Sequence, residues 1–196
     1  MRCPSCLKDL QGASDACAEC GFTLARLDIK FGTVPKTFRP LTDYTRLFTA
    51  REAAALKKAM TLLEQRFPGL CLSLIAMEAN PSFNVRVYLF WLMNRCKLSP
   101  MGSHFEENFS LIIFLDATSR SVLLSTGYGL HTALPEESLQ RLADLAANHF
   151  RAGHFRRGTT ILLREIELQL RSYCKKRLRM PVDELPASVG AALETL

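Results

Sequence analysis

Hydrophobic and polar positions alternate in short blocks along this chain, and the clearest pattern is a pair of apolar runs around a polar bend. Leu111–Leu115 and Val122–Leu124 flank the bend Asp116–Ser121, which consists of turn-forming residues. Short apolar runs on both sides of a turn favour two strands that are buried on both faces. We therefore predict a β-hairpin whose first strand ends at the aspartate of the bend.

Gly127-Tyr128-Gly129 follows the second apolar run. Two glycines around a tyrosine predict a sharp turn, in which the backbone takes positive φ angles and one large ring is fixed. The alternative is an ordinary turn between a strand and a helix, because short motifs of this kind are weakly specific.

Helical periodicity and capping signals predict four helices. Thr49-Ala-Arg-Glu52 has the capping-box pattern, and Pro135 suits the first turn of a helix. Tyr88, Phe90 and Trp91 indicate that the second helix is buried against a sheet. The predicted helices cover residues 49–67, 85–96, 135–150 and 159–179, with a strand at Leu70–Met77, an exposed loop at 97–108 and a break at 151–158.

The order helix, strand, helix, hairpin, helix, helix predicts an α/β fold, in which helices cover the faces of a small mixed sheet. Gly32, Pro35 and Pro40 interrupt any helix before residue 41 and indicate a linker that packs on the main domain. The predicted organisation is a small ribbon at 1–27, a linker at 28–40, an α/β domain at 41–179 and a loosely held tail at 180–196.

The composition is that of an ordinary globular protein. The 196 residues are 48% hydrophobic. No apolar run reaches the roughly 18–20 residues of a membrane-spanning helix. No apolar stretch of the secretory type follows Met1, so we expect no membrane span and a cytoplasmic location.

Four of the seven cysteines lie in the first 20 residues with the spacing C-x2-C…C-x2-C. Two such turns present four thiolates tetrahedrally, which predicts a structural zinc site formed by Cys3, Cys6, Cys17 and Cys20. No fifth ligand stands nearby, so the site offers no open position for catalysis. The odd cysteine count argues against a disulfide framework, and we expect the remaining three to be small core residues: Cys71, Cys96 and Cys174.

The formal charge of +6 is concentrated near the C-terminus, where residues 149–179 contain nine Arg or Lys and two Glu. Such a segment is usually a solvated helix face, and the alternative is contact with nucleic acid or anionic lipid. Residues 1–30 contain four basic and four acidic side chains. This neutral ribbon lacks the basic footprint of phosphate binding and favours a protein partner or a role in holding the fold together.

Three segments together resemble the TPM domain family, which is named partly after thylakoid-lumen proteins reported as acid phosphatases. They are Thr126–Leu130, the helix after Leu134-Pro135-Glu136, and Phe150-Arg-Ala-Gly153 with its continuation to Gly158. Asp43 matches the opening aspartate of the family. The resemblance covers about residues 41–171 and implies a three-layer α/β/α sandwich.

Two departures from the family pattern concern acidic positions. His131 stands where the family usually has Glu, and Glu107-Asn108-Phe109 replaces an Asp-Asn-Gly entry to the hairpin. Carboxylates at these loop ends would be oxygen ligands for Ca²⁺ or Mg²⁺, so the loss of one weakens any divalent site and any metal-assisted phosphoryl chemistry.

These observations favour a non-catalytic binding or assembly module, with weak divalent-ion binding at one end of the sheet. The alternative implied by the resemblance is a metal-dependent phosphomonoester hydrolase. Its catalytic candidates are Asp43, Asp116 and Tyr128, and His131 and Arg120 could supply a proton donor and a phosphate clamp. The wider set of candidate ligand- or ion-binding residues, expected at one end of the sheet, is Asp43, Glu107, Asn108, Asp116, Gly127, Tyr128, Gly129 and His131.

A third hypothesis, nucleic-acid binding, rests on the basic segment alone. His104, His149 and His154 are assigned no role.

Overall fold

The computed structural model describes residues 3–9, 16–33, 40–79, 84–96 and 108–177. Glu107, most of the predicted loop at 97–108, residues 34–39 of the predicted linker, the last two residues of the final predicted helix and the predicted tail lie outside the described residues.

The sheet contains four strands in the order β1-β2-β3-β4 within the described part of the chain. They are β1 (Leu41–Asp43), β2 (Cys71–Met77), β3 (Ser110–Asp116) and β4 (Ser121–Thr126). The first three run parallel, and β4 returns antiparallel to β3. The predicted hairpin is therefore confirmed, and it closes one side of a mixed sheet. The short strand β1 was not predicted.

The described residues form five α-helices: α1 (Leu24–Phe31), α2 (Ala50–Arg66), α3 (Val85–Arg95), α4 (Glu136–Arg151) and α5 (Phe155–Arg177). The capping box is present, because the Thr49 side chain accepts from the amide of Glu52 and the Glu52 carboxylate accepts from the amide of Thr49. Three predicted helices are confirmed within one or two residues. Helix α1, which spans the predicted boundary between ribbon and linker, was not predicted.

Helices cover both faces of the sheet. On one face, α2, α4 and α5 pack around Leu72, Leu74, Leu111 and Ile113. On the other, α3 and α1 pack on Ile75, Ile112 and Phe114, with Trp91 and Leu27 among the buried side chains. This arrangement is the expected α/β fold with a helical layer on each side, and α3 is buried as predicted.

Strand β4 is less buried than the sequence pattern predicted. Val122 and Leu123 are half-buried, and Leu124 is buried. The reason is topological, because β4 is an edge strand, and among the described residues no further strand pairs with its far side. Burial on both faces holds for β3, all of whose residues are buried.

The final helix begins four residues earlier than predicted, at Phe155. Gly158, which we expected to end the break between the last two helices, is instead a buried residue inside α5. A Cβ atom at this position would lie 2.7 Å from the Phe150 ring. The glycine therefore allows α5 to approach α4 closely.

Two of the three remaining cysteines are core residues as expected. Cys71 and Cys96 are buried, and burial raises the pKa of the Cys96 thiol to about 11. The expectation was wrong for Cys174, which is exposed because it lies in the last turn of α5, beyond Leu170, the last buried residue of that helix.

Candidate functional site

The two cysteine pairs occupy turns with the same backbone geometry. In the first turn the amide of Leu7 donates to the carbonyl of Cys3, and in the second the amide of Gly21 donates to the carbonyl of Cys17, at 2.9 and 2.8 Å. The residue after each second cysteine has a positive φ, 62° at Leu7 and 63° at Gly21. A second hydrogen bond closes each turn: the amide of Cys3 donates to the carbonyl of Lys8, and the amide of Cys17 donates to the carbonyl of Phe22.

The four cysteine thiols lie close together. The Sγ atoms of Cys3 and Cys20 are 3.7 Å apart, as are those of Cys6 and Cys17, and all four lie within 4.8 Å of one another. Four sulfur ligands placed tetrahedrally at about 2.3 Å from a zinc ion would be roughly 3.8 Å apart. Backbone hydrogen bonds from Cys20 and Glu19 lower the pKa of the Cys17 thiol to about 7. The cluster therefore fits a four-coordinate metal ion.

Helix α1 fixes this ribbon on the main sheet. Leu27 is buried beside α3, and Asp28 accepts hydrogen bonds from Trp91 Nε1 at 2.8 Å and from Arg95 Nη2 at 2.8 Å. Phe31 contacts the Trp91 ring with a centroid distance of 5.2 Å. The role of Asp28 was missed by sequence reasoning, because its partners lie more than 60 residues away.

Asp43 and Asp116 lie at the carboxyl ends of β1 and β3. Asp43 Oδ1 accepts from the amide and hydroxyl of Thr45, and its Oδ2 accepts from the amide of Phe48 at 3.0 Å. Asp116 Oδ1 accepts from the amides of Ala79 and Thr118 at 3.1 and 3.0 Å. Both carboxylates therefore hold the loops that follow their own or neighbouring strands.

The environment keeps Asp116 ionised. Its burial alone would raise the pKa, but hydrogen bonds from the Ser119 hydroxyl and from the amides of Ala79, Thr118 and Ser119 outweigh burial and lower the pKa. Arg120, proposed as a phosphate clamp, has a φ of 52° in the same turn, and its Nη1 donates to the carbonyl of Arg151 at 3.1 Å.

The remaining described candidates lie at the opposite end of the sheet. Asn108 precedes β3, and the amide of Gly127 donates to the carbonyl of Ser110 at the beginning of that strand. Tyr128 and His131 follow Gly127, and their rings are stacked with centroids 6.4 Å apart. The expectation that all candidates share one end was wrong, because the hairpin returns the chain to where β3 began. A seven-residue strand separates the two groups by roughly 20 Å.

The two glycines around Tyr128 do not act as predicted. Gly127 has a φ of −69°, and neither it nor Gly129 has a positive φ. The segment forms one 3-10 turn from Tyr128 to Leu130, which corresponds to the alternative of an ordinary strand-to-helix turn. Gly129 is required for space, since a Cβ atom there would lie 2.9 Å from the Phe109 ring and 3.0 Å from the Asn108 carbonyl oxygen.

The chain also has a cleft of about 170 Å³ along the outer edge of β4. At its rim, Arg86 Nη1 of α3 contacts Glu136 Oε1 of α4 at 2.6 Å. These helices lie on opposite faces of the sheet, so a direct contact between them passes around the edge of β4. The pair therefore covers part of an edge that sequence reasoning did not identify.

Comparison with known proteins supports the fold and the family. The sequence model of the TPM domain matches residues 41–168. The chain belongs to the TPM domain family. Among solved structures, the chain is similar to the N-terminal domain of a protein from P. gingivalis, determined by solution NMR. The TM-score is 0.54 with 18% identity, over 69% of this chain and 84% of the other, and at this identity the likeness concerns the fold alone. No curated protein matches the chain.

The family match begins at β1 and ends within α5, so the cysteine turns and α1 lie outside it. Within the TPM domain, the described carboxylates form no group of three or more metal-ligating side chains, and the cysteine cluster is the one such group among the described residues. None of the helices in the described ranges is long and apolar enough to span a membrane.

Proposed function

We propose that this protein is a non-catalytic binding module, in which a zinc-bound ribbon is fixed on a TPM domain and presents a surface to a protein partner. The observation that carries the proposal is the separation of the polar candidates. Asp43 and Asp116 lie at one end of the sheet, whereas Tyr128 and His131 lie at the other. A general acid and the group it assists must be within hydrogen-bonding reach of the same substrate atoms.

The bonding of the two aspartates supports the same conclusion. Each has both carboxylate oxygens occupied by donors of nearby loops. They are two strands apart, which is roughly 10 Å across the sheet. A divalent cation requires several converging oxygen ligands, so we infer that Ca²⁺ or Mg²⁺ would bind only weakly at this end.

The ribbon and the adjoining helix α1 supply the surface for the partner in this proposal. Zinc is the metal we propose for it, because four cysteine sulfurs in a closed set are characteristic of structural zinc. Ile29 of α1 is 86% exposed and Leu7 of the first turn is 58% exposed. We infer that these two side chains contribute apolar contact area to the partner, because the centre of a protein interface is more apolar than its rim.

A phosphate-release assay separates this proposal from the phosphatase alternative. Purified protein would be incubated with a generic phosphomonoester, with and without Ca²⁺ or Mg²⁺, beside an Asp43→Asn/Asp116→Asn variant of verified fold. We expect no release above the buffer control in either sample. Release by the wild type that disappears in the variant would instead establish an enzyme with its site at the carboxyl ends of β1 and β3.

The docking role is tested by affinity capture with the full chain. We expect Ile29→Ser to lose a partner that the wild type retains, while the exposed Leu145 on α4 serves as the matched control through Leu145→Ser. If the wild type, Ile29→Ser and Leu145→Ser recover the same proteins, the surface around Ile29 is not the docking surface.

A further inference from the structure

The outer surface formed by α2 and α5 carries several exposed cations. The helical positions that point away from the core define what we call the basic face: Arg51, Lys58 and Leu62 on α2, and Arg157, Arg164, Leu168, Arg171 and Lys175 on α5. All eight side chains are exposed. The opposite positions are the buried ones, with Leu56, Met60 and Leu63 on α2 and Leu162, Ile166 and Leu170 on α5.

The two helices form one surface because they lie side by side in the same layer. Arg66 near the end of α2 pairs with Glu167 in the middle of α5. At the other end, hydrogen bonds from Thr49 lower the pKa of Glu52, and the nearby Arg156 lowers it further. The beginnings of the helices are therefore close together, and the helices run in the same direction.

The net charge of these two helices exceeds that of the whole chain. Helices α2 and α5 contain eleven Arg or Lys and four Glu, a surplus of seven, whereas the chain has a formal charge of +6. Each of the four glutamates has a partner or is partly buried, and one of them, Glu167, pairs with a member of the basic face, Arg171. Glu52 caps α2, Glu64 accepts from the amide of Leu72, Glu167 pairs with Arg66 and Arg171, and Glu165 is half-buried.

Two leucines are embedded among these cations. Leu62 is 43% exposed and Leu168 is 49% exposed. Single exposed leucines are common on solvated surfaces, but these two lie among the cations of one face, where a phosphate backbone would offer them no apolar contact. In a membrane interface, by contrast, leucines enter the boundary between headgroups and acyl chains, while Arg and Lys side chains extend to the anionic headgroups.

We propose that the basic face binds the surface of a bilayer that contains anionic lipids. The 23 residues of α5 extend over about 35 Å, so α5 can lie along the membrane plane and place its four cations and Leu168 on the headgroups together. Neighbouring α2 adds Arg51, Lys58 and Leu62 to the same contact. The interaction is peripheral, and it is independent of the proposed docking role of the ribbon on the other side of the sheet.

The test is co-sedimentation of the full chain with vesicles of phosphatidylcholine alone and of phosphatidylcholine mixed with phosphatidylglycerol. We expect binding to the mixed vesicles only, and loss of that binding as salt is added. Arg164→Glu should weaken binding by about tenfold or more, because it replaces an attraction to the headgroups by a repulsion. Lys30→Glu on α1 makes the same change in net charge on the opposite side of the sheet and should leave binding unchanged.

The leucines distinguish a membrane from a nucleic acid. Leu62→Ser/Leu168→Ser preserves every charge and should weaken vesicle binding several-fold, whereas Ile29→Ser, also an exposed apolar residue, should not. No sedimentation with the mixed vesicles at low salt would overturn the proposal. So would retention on duplex DNA or RNA that exceeds vesicle binding and is unaffected by the leucine substitutions, since that outcome identifies nucleic acid as the ligand.

Discussion

The indole Nε1–H of Trp91 donates a hydrogen bond of 2.8 Å to Oδ1 of Asp28, across 63 residues of sequence. Arg95 donates to the same carboxylate through Nε and Nη2. The hydrogen bonds from Arg95 and Trp91 lower the pKa of Asp28. This one side chain thus joins the helix that follows the cysteine turns to the helix that covers the second face of the TPM domain.

We expect Asp28→Ala to destabilise the protein, because Trp91 Nε1–H loses its acceptor in a side chain that is almost fully buried. The measurement is the urea midpoint, followed by tryptophan fluorescence, since Trp91 is the single tryptophan of the chain. Asp28→Asn retains an acceptor for the indole and should lie between the wild type and Asp28→Ala. Equal midpoints for all three proteins would contradict this role.

We expect Asp116 to make the stability of the folded protein depend on pH. Its pKa is lowered in the folded protein, so its contribution is fully present above the ordinary aspartate value of about 3.9 and is lost as the pH falls through the lower folded-state pKa. Asp116→Asn should therefore lose stability at pH 7 and show a shallower decrease of stability below about pH 4. Parallel stability profiles for the two proteins would rule out this linkage.

Substitutions at the equivalent positions of the two cysteine turns, Leu7→Gly and Gly21→Ala, should have opposite effects on metal retention. Leu7 has a φ of 62°, which costs a non-glycine residue roughly 1–2 kcal/mol. Leu7→Gly should therefore tighten metal retention against a chelator, and Gly21→Ala should weaken it. Changes in the same direction for both variants would show that strain at these positions does not limit metal binding.

The contact between Gly158 and Phe150 predicts that a smaller side chain at position 150 reduces the cost of a larger one at position 158. Gly158→Ala places a Cβ atom within 2.7 Å of the ring and should cost about 1–3 kcal/mol of unfolding free energy. In a Phe150→Leu background the Gly158→Ala penalty should shrink, and an undiminished penalty would mean that the ring is not what excludes the methyl group.

The pair Arg86–Glu136 should limit self-association through β4. This strand is uncharged, and part of its outer edge is covered by that pair, whose side chains are 48% and 68% exposed. Arg86→Ala/Glu136→Ala should increase dimer formation in light scattering at high concentration, because an uncovered edge accepts another strand. Arg86→Glu/Glu136→Arg retains the ion pair and should behave as the wild type. If the double alanine variant stays monomeric, the edge of β4 is not a site of self-association.

Local spacing alone determined much of this protein. The four cysteines are identified by their intervals, the start of α2 by a capping box four residues long, and the hairpin by two apolar runs around a bend. Each of these features is formed by residues close in sequence, so the interactions that stabilise it can be inferred from the local sequence pattern. The match of the family to residues 41–168 likewise agrees with the segment that the sequence resemblance covered.

The tertiary structure decided which of these features meet. An antiparallel return placed Tyr128 beside the beginning of β3 and far from Asp116, although 12 residues separate them in sequence. The pairing of Asp28 with Trp91, and of Gly158 with Phe150, depends on how two helices lie against each other. Propensity and periodicity describe one element at a time, whereas these contacts depend on the direction and packing of several, so only the folded chain fixes them.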